Sequence, residues 1–251
     1  MRVVSLVPSW TETLIECGIT VVGRTRFCIH PEAVVTKIPA IGGTKNVHAD
    51  LIKKLQPNVV LFDREENPKE VYESLKLLLP DTVFIDTHVT SFQSSLKELE
   101  RLSIIFQSAS MKELSSEGKI LFEKLKKKDF PQETVPFQVS ALDGQLKDFS
   151  KVRYVIWKNP WMCVSAETFI GSLLKLLGIP LVPENSENRY PAFDLEAEKE
   201  SFFYLFSSEP FPFHQEKQKP QNCFGAVVDG EAYSWFGYRS IKLWTKFING
   251  Q

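Results

Sequence analysis

The chain has no long apolar run. Its first apolar stretch, residues 3–7, is stopped by Pro8. A secretory leader needs a basic start, an apolar stretch of about 7–15 residues and a small-residue cleavage site, and a membrane span needs roughly 20 apolar residues. Neither pattern is met, so the sequence as it stands predicts a cytoplasmic protein with no membrane span. Removal of a leader and addition of Met1 would place it in the periplasm instead. An excess of one charge is also missing, because 30 Lys and Arg against 31 Asp and Glu leave a net charge of −1. No basic face suited to nucleic acid or an anionic membrane stands out. The one basic run, 124–128, closes an expected helix, where it complements the dipole. Cysteine is scarce: Cys17, Cys28, Cys163 and Cys223 are widely separated, without a CxxC pair, and are expected as thiols. The G-x-S-x-G elbow, H-E-x-x-H, the dinucleotide fingerprint and P-loop spacing are all missing. Four histidines leave little material for acid–base work, so no catalytic residue and no built-in cofactor are expected.

What is present is a soluble balance, 43 % hydrophobic and 24 % charged, over a length that suits one large domain or two ordinary ones. Strand-like and helix-like segments alternate. Residues 3–7 read as a buried strand, followed by the capping-box spacing Ser9-Trp10-Thr11-Glu12 and a helix ending at Gly18. Asn46 reads as a cap for the helix carrying Val47, Leu51 and Leu55. Residues 59–62 and 83–85 read as strands, with Asn67-Pro68 opening a helix between them. From 92 to 128 almost nothing interrupts a helical pattern, and Met111, Leu114, Gly118, Leu121 and Leu125 form one stripe. Residues 153–157, 201–206 and 225–228 are further strands. Thr168 or Ser165 is placed to cap a helix ending at Gly178, and Ser240 to open a last one. This alternation predicts an α/β chain with parallel sheets covered by helices. The expected organisation is an N-terminal Rossmann-like lobe over 1–106, one long connecting helix over 107–130 and a C-terminal lobe over 131–251.

Several segments carry a resemblance in order along the chain. They are Arg2-Val3-Val4-Ser5-Leu6-Val7-Pro8-Ser9-Trp10, Gly23-Arg24-Thr25-Arg26-Phe27-Cys28-Ile29-His30-Pro31 and Ile41-Gly42-Gly43-Thr44. Further on come Trp157-Lys158-Asn159-Pro160-Trp161-Met162, Arg189-Tyr190-Pro191 and Ser234-Trp235-Phe236-Gly237 with Arg239. Together they resemble the helical-backbone metal receptors, the substrate-binding proteins of cobalamin, haem and iron–siderophore importers with the class III periplasmic-binding-protein fold, in a leaderless cytosolic branch. The resemblance implies two lobes joined by one rigid helix, with the ligand in a cleft between them. It implies non-enzymatic binding of a small metal chelate: cobalamin or a related corrinoid first, haem or a ferric siderophore otherwise. If the protein is exported, it implies an ABC permease as partner, docked through an acidic residue on each lobe. Glu196 matches one such place, and Glu70, beside Lys69, stands near the other.

Ligands of α/β proteins sit outside the carboxyl ends of strands, and the segments there are rich in aromatics. A corrin or porphyrin is a broad apolar plate that rigid rings cover at small entropic cost. The candidate ligand-binding residues in the first half are Trp10, Arg26, Phe27, Cys28, His30, Gly43, Thr44 and Arg64. In the second half they are Trp161, Met162, Tyr190, Trp235 and Arg239. For any one ring the competing reading is core packing; Trp161, after Pro160 in a loop, is the ring least expected in a core. Cys28-x-His30 offers two soft-metal ligands but cannot close a structural site alone. The alternative is a buried thiol and a loop-bonding histidine. A second reading of the chain is a cytosolic chelatase-like protein that handles metal or haem through Cys28 and His30. A third is a module whose cleft meets a protein partner.

Overall fold

The structure is a computed structural model, and it describes residues 1–127, 134–184, 186–215, 217 and 220–250. The end of the basic run, Lys128, and the expected lobe boundary near 130–131 lie outside these residues. Two compact units emerge. The first comprises Met1–Val89, Gln93–Ile120 and Trp235–Lys242, and the second Thr90–Phe92, Leu121–Ser234 and Leu243–Gln251.

The first unit alternates β1 (Val3–Ser5), α1 (Pro8–Glu16), β2 (Val21–Arg24), α2 (Glu32–Val35), α3 (Ala49–Lys54), β3 (Val59–Asp63), α4 (Lys69–Leu78) and β4 (Val83–Thr87). Its sheet runs β2-β1-β3-β4 with every pairing parallel. The two inner strands are apolar runs, each closed by one buried polar residue, Ser5 and Asp63, because helices cover both faces; all five residues of β3 are buried. On one face Val4, Leu6, Val60 and Phe62 pack with Ile52 of α3 and Leu75 of α4. The edge strand β4 is more exposed, and Arg101 Nη2 donates to its Asp86 carbonyl at 2.5 Å.

Local signals at helix starts were partly overridden. α1 begins at Pro8, with Val7 as a cap that makes no side-chain bond, so the expected Ser9–Glu12 box does not form. Glu12 is drawn to a distant arginine instead. α3 starts at Ala49 after His48, not at Asn46. Asn67 does not cap α4, whose N-cap is Pro68; its amide donates to the carbonyls of Leu6 and Thr44 and its oxygen accepts the Asp63 N–H. Gly18 ends the α1 turn at φ +77°, as glycine allows.

The stretch from 92 to 127 forms two helices, α5 (Phe92–Ile105) and α6 (Ala109–Lys127). Gln107 sits at φ +50° and Ser108 Oγ accepts the Met111 N–H at 3.2 Å, which ends one helix and starts the next without glycine or proline. The predicted stripe does line α6: Met111, Leu114, Leu121 and Leu125 are buried. At Gly118 a Cβ would lie 2.5 Å from Leu96 Cδ2. The border between the units falls inside α6, after Ile120, and 235–242, expected in the C-terminal lobe, belongs to the first unit.

The second unit holds β5 (Gln138–Ala141), β6 (Val152–Trp157), β7 (Met162–Cys163), α7 (Phe169–Leu176), α8 (Leu195–Glu198), β8 (Phe203–Ser207), β9 (Gly225–Val228) and α9 (Gly230–Ser234). The last helix, α10 (Tyr238–Ile248), opens at Tyr238 rather than Ser240. The sheet order is β5-β9-β8-β6-β7. Its centre, β6, β8 and β9, is parallel, and both edge strands are antiparallel. Val155, Tyr204, Phe206 and Phe213 anchor its core. Thr168 caps α7 as expected, accepting the Gly171 N–H at 3.0 Å, and Gly178 closes it at φ +68°. A Cβ at Gly171 would lie 2.1 Å from the Ser165 carbonyl oxygen, a main-chain contact that no rotamer relieves. Gly171→Ala should therefore lose about 1–3 kcal/mol in urea unfolding, more than the ~1 kcal/mol expected of Thr168→Ala, which only removes the cap.

Candidate ligand-binding faces

Parallel strands bring all their carboxyl ends to one edge. In the first unit this edge gathers the loops that follow β1, β2, β3 and β4. The loop after β2 presents apolar surface: Phe27 is 47 % exposed and Ile29 46 %, and the Arg26 guanidinium lies 4.9 Å over the Phe27 ring. Arg26 N–H donates to Gly42 O at 2.8 Å. A Cβ at Gly43 would come within 3.3 Å of Phe27, so Gly43 acts by leaving room for that ring. Thr44 is half-buried, and its carbonyl is held by Asn67.

Beneath this loop Cys28 is buried, with its sulfur 3.1 Å from Thr11 Oγ1 and 3.2 Å from Thr25 Oγ1. Burial pushes its thiol pKa up, outweighing those hydrogen bonds, which keeps it neutral and without a face toward solvent. This corrects the expectation of Cys28 as a metal or ligand contact. His30 stands edge-on to Trp235, centroids 5.1 Å apart. Among the described residues no group of three or more His, Cys, Asp or Glu is placed to hold a metal ion.

Three further candidates belong to the packing of this unit. Trp10 is fully buried, and its Nε1–H donates to Thr87 Oγ1 at 2.9 Å. Trp235 is 7 % exposed and lies under the Arg239 guanidinium, 5.1 Å away. Arg239 in turn forks onto Glu12 at 2.9 and 2.8 Å, with side-chain exposures of 18 % and 7 %. Arg64 is exposed and bound to the Asp86 carboxylate. Asp63, the last residue of β3, is buried. It accepts the Glu65 and Val89 N–H groups, at 2.9 and 3.1 Å, and lies 2.6 Å from Thr87 Oγ1. Burial raises its pKa against those hydrogen bonds.

In the second unit β6 ends on Trp157, which is 41 % exposed and meets Phe211 edge-on at 5.6 Å. It was not among the predicted contacts, although its place as the last residue of a strand was the available signal. Trp161, the ring expected to stand free in a loop, is half-buried: it stacks on Phe213 at 5.9 Å and 9° and also meets Phe206 and Phe193. Met162 is half-buried in β7 opposite Ala192, and Tyr190 is 38 % exposed. Glu70 and Glu196 are both exposed in the first turns of α4 and α8, Glu196 pairing with Lys199 at 2.9 Å.

No family model and no curated protein matches the chain. Solved structures do. The periplasmic vitamin B12 binding protein BtuF of Vibrio cholerae superposes with a TM-score of 0.74 at 14 % identity, covering 99 % of this chain and 95 % of its own. The chain has the class III periplasmic-binding-protein fold. The periplasmic heme binding protein HutB of the same organism gives a TM-score of 0.69 at 16 % identity, with 99 % and 98 % covered. Staphylococcus aureus IsdE complexed with heme gives 0.70 at 17 %, with 99 % and 97 % covered. The fold assigns architecture; at these identities it leaves the ligand to the residues themselves. None of the described helices is long and apolar enough to cross a membrane.

Two measurements test this arrangement. Replacing Arg239 by Met removes the two-point partner of a nearly buried Glu12 carboxylate and should cost about 3–5 kcal/mol, with part recovered in Glu12→Gln/Arg239→Met, by double-mutant unfolding. All four thiols are buried; burial raises Cys17 and Cys223 to about 11 and shifts Cys28 and Cys163 upward. Ellman's reagent at about pH 8 should react slowly with the native protein and with all four thiols in denaturant, since the thiolate is the nucleophile.

Proposed function

We propose that the chain is a non-enzymatic receptor for a flat metal chelate, a corrinoid or a haem, held against apolar side chains at the carboxyl ends of its strands. The observation that carries this reading is the exposure of Phe27 and Ile29 after β2 in the first unit, and of Trp157 and Tyr190 in the second. Large apolar side chains left open to water in the loops and at the end of β6 mark a binding surface rather than a core. Arg26, beside Phe27, supplies a fork for a propionate, amide or phosphate arm. Support of a different kind comes from the fold neighbours, named for vitamin B12 and heme. The chelatase-like reading loses its chemistry once Cys28 is a buried neutral thiol. Handover to an ABC permease would use the exposed carboxylates of Glu70 and Glu196.

Titration with cyanocobalamin, cobinamide and haem, read by tryptophan quenching and by the ligand's own absorbance, tests the reading. At least one should bind saturably, and Phe27→Ala and Trp157→Ala should each weaken it about tenfold, as loss of a contacting aromatic does. Ile19→Val, on the far side of α1 from the strand ends, serves as a control. No quenching by any of the three at high micromolar ligand would overturn it.

A further inference from the structure

A pocket of about 430 Å³ lies within the first unit, lined by Phe62, Arg64, Pro68, Lys69, Tyr72 and Asp86 among others. This volume falls in the range of small-molecule sites. The floor is aromatic: Phe62 and Tyr72 lie 4.8 Å apart and tilted, with Phe84 edge-on to Tyr72 behind them. Most of the lining surface is apolar, and its charged side chains, Arg64, Lys69 and Asp86, sum to +1.

The rim has more donors than acceptors. Arg64 spends Nε and Nη2 on Asp86, and its Nη1 meets no acceptor among the described residues. Lys69 is 81 % exposed at its side chain and approaches only Glu73, at 3.4 Å. The Tyr72 oxygen accepts from Lys76 Nζ at 3.1 Å, which leaves its own O–H directed elsewhere. α4, ten residues long, opens at this rim without a side-chain cap; the Val71 N–H turns back to the Pro68 carbonyl at 3.1 Å, which leaves the Lys69 and Glu70 N–H groups as the first-turn donors.

We infer that this pocket is a second binding site, for a small aromatic carboxylate. The ring would lie on Phe62 and Tyr72 against Pro68, and the carboxylate would accept from Arg64 Nη1, Lys69 and the first turn of α4. The apolar floor selects the ring and the surplus of donors selects the anion. A neutral aromatic of the same shape satisfies only half of the site. This inference does not depend on the chelate reading, because Lys69 and Tyr72 have no part in it.

The experiment uses 4-fluorobenzoate and its uncharged counterpart 4-fluorobenzamide, followed by ligand-observed fluorine NMR on the full chain. The benzoate should bind saturably with a Kd in the millimolar range, and the benzamide about tenfold more weakly or not at all. Arg64→Gln/Lys69→Gln should bring benzoate binding down to the level of the amide. Both side chains are exposed, so folding is not at stake, and thermal unfolding of the variant checks that. Tyr72→Leu, which removes the ring from the floor, should weaken both compounds. Equal binding of the two compounds, no saturation by benzoate, or a double variant that binds benzoate as the native chain does would each overturn the proposal. Chelate titration of Lys69→Gln is a separate readout, so failure of one site is distinguishable from failure of the other.

Discussion

A charge pair separated by 227 positions organises the first unit. Glu12, on the first helix, and Arg239, near the end of the chain, meet in a two-point fork with both side chains largely hidden from water. Neither charge is affordable there alone. The pair therefore fixes where 235–242 lies: the Tyr238 N–H reaches Thr13 Oγ1 at 3.0 Å, Phe236 stands edge-on to Trp10 at 5.0 Å, and Trp235 settles beneath the guanidinium and beside His30. The loop that exposes Phe27 rests on this base through Cys28 and its two threonines. The chain's last strands build one unit, and a segment beyond them completes the other.

The architecture was legible because it rests on periodicity. Buried strands read as apolar runs, α6 showed its stripe, and Gly18, Gly178 and Thr168 punctuated helices as their chemistry dictates. The errors occurred where a distant partner outbid a local signal. Glu12 had the spacing of a capping box, but a fork with Arg239 satisfies it better than one N–H would. Asn67 had the look of an N-cap, yet a single amide there joins three loops.

The exposed rings near strand ends were legible as a class of residue and not as individual side chains. That strand ends would be aromatic followed from the sequence; which rings face water depends on register and on what packs above. Trp157 and Trp161 show the difference. The hairpin formed by β6 and β7 leaves Trp157 at the open end of its strand, and it returns Trp161 onto Phe213, Phe206 and Phe193. Trp10 and Trp235 carry the right chemistry for a plate-like ligand, but their neighbours already use it.

The first sheet stops at four strands, and β4 forms one of its borders. A bare strand border invites another chain to add itself in register. Here Arg101, itself paired with Glu98 at 2.7 Å, occupies the Asp86 carbonyl and sets a charged pair at the line an incoming strand would follow. A single side chain on α5 thus defends solubility, a quantity set by encounters between molecules rather than by the stability of any one of them.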